Sequence, residues 1–556
     1  MIIKLVDMIV IVYYVSMYVA RVPNRKSPPA FLVRESYRVG KQVRSRTIVN
    51  ISSWKPDRIE ALRRALAGEF DNASQGEQGW ISDRILGVLF VLKKISDRIG
   101  VSGALGSTRL GLLSLFLVLS RVAAPASRLA SVRWAANHAV DEVLGLHSFD
   151  EDDLYEALDF LAERQKKIED ILFRRYVKER GSPVTLVLYD VTSSYFEGTK
   201  NELAAFGYNR DGKRGKLQIV IGLLAGPDGE PLAIRVFRGN TCDPATVADQ
   251  VTVLKERFGI QEVVFVGDRG MVKTSGKERL REENFRYITA LTDPQIRKLL
   301  RENVLQMGLF DEAVQEASHG NLRIVLRRNE AVRRKEMHRR DDKLARIRVL
   351  IDRRNKKLAD SKRAKPESGL KLLRKWIGSH KLTSFAEIQA EGRTLHLLVD
   401  EAEKSQDALL DGCYALETDV TKGLMDAATV DARYRDLQKV ERDFRTVKTT
   451  LLDVRPLFLR KESRTRGAVF VTMLALKIAR ELQSRIKIAY GTTDDDPHGM
   501  TVTDALEAFA RLSFQRQEGA GRLVLRLPKP DEMQTRILEA IDLRAPRPGI
   551  WKSKEM

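Results

Sequence analysis

The sequence predicts an α/β protein: a mixed sheet with helical cover, interrupted by an insertion, with a β/helical region before it and a helical tail after it. Three observations predict this class. Between residues 184 and 291, apolar β-branched runs alternate with helical stretches in the order β-β-β-α-β-α-β. Residues 323–365 then break the plan with 18 Lys and Arg against 6 Asp and Glu, a net +12 out of the chain's +21. The plan resumes at "YRDLQKVERDFRTVK" (Tyr434–Lys448), where Leu437, Val440, Phe444 and Val447 recur at helical spacing.

The elements follow in order. "MIVIVYYVSMYVA" (Met8–Ala20) is uncharged but only 13 residues long, whereas a membrane-spanning helix needs about 20. It lacks the basic lead-in and small-residue site of a secretory signal. It reads as a strand, or as a start codon placed too early, with residues 1–16 outside the natural chain and Met17 its first residue. "YVARV", "AFLVRESYRV" and "RTIVNIS" give an extended segment over residues 1–60. Residues 61–180 read as helical, with helices expected at Lys55–Gly68 and Ile81–Gly100 and a buried one at Leu110–Val122. Ser148 and Glu151 form a capping box for a helix carrying Leu154, Leu158, Leu161, Ile168, Ile171 and Leu172. "KERGSP" (Lys178–Pro183) reads as a linker.

Val184–Tyr189 is the first strand of the sheet, and Lys216–Leu224 and Pro231–Phe237 are an antiparallel hairpin across the turn "GPDGE". Asp243 and Pro244 start a helix reaching about Phe258, with Asp243 as its N-cap. Glu262–Val266 is the fourth strand, a helix near Gly276–Glu283 follows, and "FRYITAL" is the fifth. Residues 181–295 and 430–490 thus make one domain, split by a basic insertion at 296–429 and followed by a tail at 491–556. Leu344, Ile347, Ile351 and Leu358 give the insertion one apolar stripe, so part of it is a helix or helical hairpin.

Charge narrows the function. The chain holds 96 Lys and Arg against 75 Asp and Glu, a balance that favours a polyanionic partner, most commonly nucleic acid. Concentrating much of the excess in one segment suits phosphate contact, since each neutralised phosphate releases counterions. Cys242 and Cys413 are the only cysteines and the seven histidines lack ligand spacing. A disulfide framework and a thiolate zinc cluster are excluded, and a reducing cytoplasm fits.

Three carboxylates stand out. Asp190 closes the first strand and Asp268 follows the fourth. If these strands are parallel neighbours, both side chains leave the sheet at the end where α/β sheets place their sites. Two carboxylates held together repel unless a divalent cation lies between them, and magnesium suits such oxygen ligands. Tyr434, Glu441 and Lys448 are spaced by seven, nearly two helical turns, and so line one edge of the Tyr434–Lys448 helix. Lys and Tyr are natural phosphate contacts, and Glu can complete a metal site.

"YDVTSSYFEG", "VFVGDRGM" and the Tyr–Glu–Lys helix together resemble the three catalytic blocks of bacterial insertion-sequence transposases of the DDE class. They look most like the insertion sequence four superfamily, with its YREK pattern, Y-x2-R-x3-E-x6-K; here Leu437 stands at the Arg position, with Arg433 and Arg435 as substitutes. "MYVARVPNRKSPPAFLVRESYR", "FGYNRDGK", "VFRGNTCD" and "DGCYALETDV" extend the resemblance from Met17 to Leu543. It implies an RNase H-like sheet and a metal site of Asp190, Asp268 and Glu441 holding two Mg2+ ions, with Mn2+ tolerated. It also implies in-line attack by water and then by a 3'-hydroxyl on phosphorus. Tyr434 and Lys448 would hold a phosphate, and Arg442, Arg445, Arg455 and Arg464 would extend the DNA contact.

The implied partners are the terminal inverted repeats and a target duplex, bound by a homodimer assembled on DNA, with no membrane. The implied place is the bacterial cytoplasm, on the nucleoid when bound. The helices of residues 61–180 are the candidate end-binding region. Two other readings compete: another RNase H-like nuclease (a resolvase or an RNase), and a non-catalytic DNA-binding protein.

Overall fold

The computed structural model describes residues 16–24, 28–39, 42–66, 81–208, 210, 212–213, 215–310, 314–491, 499–519 and 522–552. Two compact units divide the chain: Ile85–Leu512 with Pro530–Ala545, and Met1–Arg84 with Ser513–Lys529 and Pro546–Met556.

The larger unit is built on an eight-stranded sheet. Its strands are β1 (Leu186–Tyr195), β2 (Gln218–Ala225), β3 (Pro231–Arg238), β4 (Val264–Gly267), β5 (Arg286–Ala290), β6 (Gln315–His319), β7 (Leu322–Arg328) and β8 (Cys413–Thr418). β1, β2 and β3 form an antiparallel meander; β4 runs parallel to β1 and β5 parallel to β4. The order β3-β2-β1-β4-β5 with this change of sense is the expected RNase H-like arrangement. β8, β7 and β6 extend the sheet beyond β5 in antiparallel sense, so the inserted segment is rooted in the sheet itself.

The first strand is longer than its apolar run. β1 continues past Asp190 through Thr192, Ser193 and Ser194 to Tyr195, because β2 keeps pairing with it as far as Tyr195↔Gln218. Pairing with β4 stops at Tyr189↔Gly267. Asp190 therefore sits within β1, at the point where its parallel neighbour ends.

Residues alternate across β1 as a strand buried on both faces requires. Leu186 and Leu188 join Ile219, Ile221 and Leu223 of β2 in the core shared with α1 (Glu151–Arg180) and the Arg109–Ala123 helix. Val187, Tyr189 and Val191 face the other way, onto Val247 and Val251 of α2 (Asp243–Thr252) and Leu280 of α3 (Thr274–Glu282). α2 takes Cys242 rather than Asp243 as its N-cap and closes with a π turn at Val253–Arg257. α1 is capped by Asp150, whose carboxylate accepts from the amides of Asp152 and Asp153 with Asp153 returning the bond, and not by Ser148. A charged oxygen nearer the first turn satisfies these donors and the helix dipole together. α1 also runs through part of the expected linker, to Arg180.

The insertion carries α4 (Glu330–Asp360). Its Leu344, Ile347, Ile351 and Leu358 pack with Leu373 and Ile377 of the Pro366–Ser379 helix and with Ile388 and Leu395 of a β-hairpin. The chain then returns through α5 (Ala427–Arg435), α6 (Leu437–Arg445) and α7 (Glu462–Tyr490). α7 crosses α1 closely: a Cβ on Gly467 would stand 2.1 Å from the Leu158 carbonyl oxygen.

In the smaller unit, Ser16–Val22, Ala30–Val39 and Gln42–Asn50 form an antiparallel sheet, against which the Pro56–Leu66 helix packs Ile59 onto Val33 and Ile51. Residues 8–15 of the uncharged N-terminal run, and 67–68 of the Lys55–Gly68 helix, lie outside the described residues. Two expectations need correction. Ile81–Gly100 is not one helix: Ile81–Ile85 is a strand paired in a sheet with Ser513–Gly519, and the helix begins at Gly87. The tail is not simply helical either. Val502–Ala510 and Glu532–Ala540 are helices, but Ser513–Gly519, Arg522–Leu527 and Gly549–Lys552 are strands of that same sheet. "RLVLRL" alternates with the period of a strand, and a distant pairing partner overrides local helix preference.

Candidate active site

The parallel pairing of β1 and β4 brings Asp190 and Asp268 together in the middle of the sheet, where that pairing ends, since Tyr189 lies beside Gly267 and each Asp is the next residue. Asp190 shares the face of Leu186 and Leu188, the face on which α6 lies: Leu437, Val440 and Phe444 of α6 and Val447 beyond it join the same core. Glu441, three residues before Phe444, is left at the open edge of that helix. The expected single helix over Tyr434–Lys448 is divided. Tyr434 belongs to α5, Glu441 to α6 and Lys448 to a π turn at Thr446–Thr450, with the break at Asp436. All three nonetheless open onto one cavity.

That cavity has a volume of about 590 Å3. Asp190, Asp268, Glu441, Tyr434, Arg445 and Lys448 all line it. The hydroxyl of Tyr434 donates to Oδ1 of Asp268 at 3.3 Å, and the same oxygen accepts from the Arg269 amide at 2.7 Å. Oδ1 of Asp190 accepts from the Val191 amide at 2.8 Å.

The three acids bear on one another's charge. Burial pushes the Asp190 carboxyl up to about 7, and the charges of Glu441 and Asp268 add to that rise against the Val191 amide and Arg210. Glu441 is raised by burial and then by Asp268, with Arg445 opposing. Tyr434 is raised by burial and by Asp268. Among the described residues no three His, Cys, Asp or Glu side chains already enclose a common ligation point. The donor set is nonetheless three mutually repelling carboxylates in one cavity, and hard divalent cations take oxygen ligands of this kind. The residues fit such an ion.

Arg442 faces a different cavity with Asp443 and Lys487, as its position one residue round the helix from Glu441 dictates. Arg455 lies beside Pro456 and Phe458 in another. Arg464 pairs with Asp159 at 3.1 Å and stands over the Tyr155 ring. Arg435 reaches the cavity of the three acids and Arg433 does not line it; buried Leu437 forms part of its wall. Sequence reasoning missed Arg210, Asn329, Tyr414 and Gln438 as lining residues. Arg210 lay in the quoted "FGYNRDGK" and Tyr414 in "DGCYALETDV", but only the folded insertion shows that Asn329 and Tyr414 reach the site. Arg210 is held by Asp243 at 2.5 Å.

Two acids where the parallel strands β1 and β4 part, with a third on the covering helix, are a donor set that metal-assisted phosphoryl transfer can use. Residues 182–478 match the family described as "Transposase DDE domain", and the chain belongs to that family. It is a DNA transposase, which decides among the three readings. Residues 19–79 match "IS1634 family transposase, N-terminal domain".

Among solved structures the chain is similar to a piggyBac transposase synaptic complex with hairpin DNA, at 9% identity over 72% of this chain and 69% of that one, with a TM-score of 0.35. It is also similar to a Mos1 transposase paired-end complex with the left transposon end, at 16% identity over 29% of this chain and 59% of that one, with a TM-score of 0.14. A comparison with curated proteins finds no match.

Proposed function

We propose that this transposase binds the terminal inverted repeats of its own insertion sequence and cuts and transfers DNA strands with Mg2+ held by Asp190, Asp268 and Glu441. The observation that carries the reading is the single cavity lined by all three carboxylates, Tyr434 and Lys448. Bound there, a pair of divalent ions supplies an activated nucleophile and neutralises charge at phosphorus. Mn2+ offers similar hard-ligand chemistry and serves in its place.

The chain's own residues then have distinct tasks. Asp190 presents its oxygens from β1 and Asp268 from the residue that follows β4, and Glu441 closes the site from α6. Tyr434 fixes one oxygen of Asp268 through its hydroxyl. Lys448 and Arg445 supply positive charge for the scissile phosphate. Arg435 takes the task of the Arg that a YREK motif would place at Leu437. Arg442, Arg455 and the basic α4 extend the DNA-contacting surface. Two ends must be joined, so the working form is a homodimer on DNA, acting in the bacterial cytoplasm. Among the described residues no single helix is long and apolar enough to cross a membrane.

The test is incubation of the purified chain and Mg2+ with a plasmid carrying the element's two ends, beside a target plasmid. Cutting at both ends and joining to the target is expected. Cutting that ignores the ends overturns the end-specific reading in favour of a general nuclease.

A further inference from the structure

The sequence motif "FGYNRDGK" contributes Arg210 to the cavity, but its two aromatic residues have no part in the site described so far. Phe206 is 67% exposed and Tyr208 83%. Their backbone is nevertheless held firmly. Gln218, at 1% exposure, donates through Nε2 to the carbonyls of Tyr208 at 3.1 Å and Gly239 at 2.8 Å. Ala205 and Gln218 exchange backbone hydrogen bonds of 3.0 and 3.1 Å. Gly207, between the two rings, lies so close to Gly239 that a Cβ there would stand 2.1 Å from its carbonyl oxygen. Buried contacts thus anchor this stretch of chain while the flanking rings stay in solvent.

A third ring lies across the same end of β1. Leu457 donates to the Tyr195 carbonyl and accepts from the Glu197 amide, both at 3.0 Å, and the next residue, Phe458, is 70% exposed. Cations lie beside Tyr208, the neighbouring Tyr195 and Phe458. The Arg210 guanidinium lies 5.9 Å from the Tyr208 ring and also lines the catalytic cavity. The Lys213 ammonium is 5.9 Å from the Tyr195 ring, and Arg455 shares a pocket with Phe458.

Rings kept bare on an anchored backbone mark a partner surface. Cations beside them favour a polyanion whose uncharged parts are flat, which describes a nucleic acid strand with exposed bases. We propose that Phe206, Tyr208 and Phe458 form a stacking surface for unpaired bases of the DNA strand beside the catalytic cavity, with Arg210 bridging the two. This rests on the chain acting on DNA.

The test uses the full chain and two duplexes of random sequence at one salt concentration: one with a frayed end carrying 2-aminopurine in the unpaired strand, the other fully paired. Random sequence suffices because stacking accepts any base. The Phe206→Ala/Tyr208→Ala variant is expected to bind the frayed end about ten-fold or more weakly, to lose the quenching of 2-aminopurine, and to bind the paired duplex as wild type does. Tyr208→Trp should keep both affinity and quenching. Unchanged frayed-end binding by the double variant overturns the proposal, and so does an equal loss on both duplexes. If the wild-type chain binds neither duplex, the proposal falls together with the DNA reading, a distinct outcome.

Discussion

Tyr434 donates a hydrogen bond to Asp268 across 166 residues of sequence, joining α5 to the end of β4. The bond fixes a carboxylate oxygen of Asp268. Tyr434→Phe removes the donor and leaves the ring in place. A hydrogen bond to a charged group contributes about 1.5–3 kcal/mol, so strand cleavage should fall roughly ten-fold or more. Far-UV circular dichroism should be unchanged. Cleavage at the wild-type rate would show that the hydroxyl has no role in holding Asp268.

Asp190 links pH to stability. Its carboxyl is pushed up to about 7, mainly by burial. Between the ordinary carboxylate range and about 7, the folded chain holds a proton that the unfolded chain has released. The folded state therefore binds more protons, and its stability falls as pH rises through that window. With divalent ions chelated, the thermal midpoint should drop between about pH 5 and about pH 7.5 by an amount that Asp190→Asn reduces. Identical pH profiles for wild type and Asp190→Asn would refute the assignment.

The same chemistry sets how metal acts on the apo chain. Ligation requires deprotonated carboxylates, and binding to the folded form alone raises the midpoint. Mg2+ should therefore raise the unfolding temperature more at pH 8 than at pH 6. Glu441→Gln should shrink the rise at both. A metal effect that is the same at both pH values would point to ions bound elsewhere.

A structural prediction concerns Glu169, which is fully buried and sits 3.0 Å from both Arg235 and Arg257 while accepting from the Ile234 amide at 3.2 Å. The cluster ties α1 to β3 and to the π turn after α2. Glu169→Ala leaves Arg235 with Asp249 at 3.4 Å and Arg257 with Asp170 at 2.7 Å as their remaining carboxylate partners, and removing one partner of a buried ion pair costs up to about 3–5 kcal/mol. Urea unfolding should show that loss through a lower midpoint. A change below about 1 kcal/mol, the scale of an exposed pair, would mean the cluster is dispensable.

How much of this was legible in the sequence depends on the range of each signal. The apolar runs at Val184–Tyr189 and Glu262–Val266 announced their strands because both faces are buried. The stripe of Leu344, Ile347, Ile351 and Leu358 was legible because one helix face packs in the insertion core. The extension of β1 through Thr192–Tyr195 was not, since those polar residues are held by pairing with β2. Nor was the strand at Ile81–Ile85, whose partner lies more than 400 residues away. The seven-residue spacing of Tyr434, Glu441 and Lys448 located the cavity-lining groups, but not the break at Asp436. Arg442 shows the limit of proximity in sequence, since a neighbour of Glu441 in the chain faces another cavity.

The most direct measurement is Mg2+-dependent cleavage of DNA bearing the element's ends by Asp190→Asn, Asp268→Asn and Glu441→Gln, each compared with wild type. Because metal ions supply several kcal/mol of charge stabilisation, each variant should cut roughly 1,000-fold more slowly or worse, with DNA binding retained. Cleavage by any one of the three at the wild-type rate would contradict the claim that these acids form a single metal site.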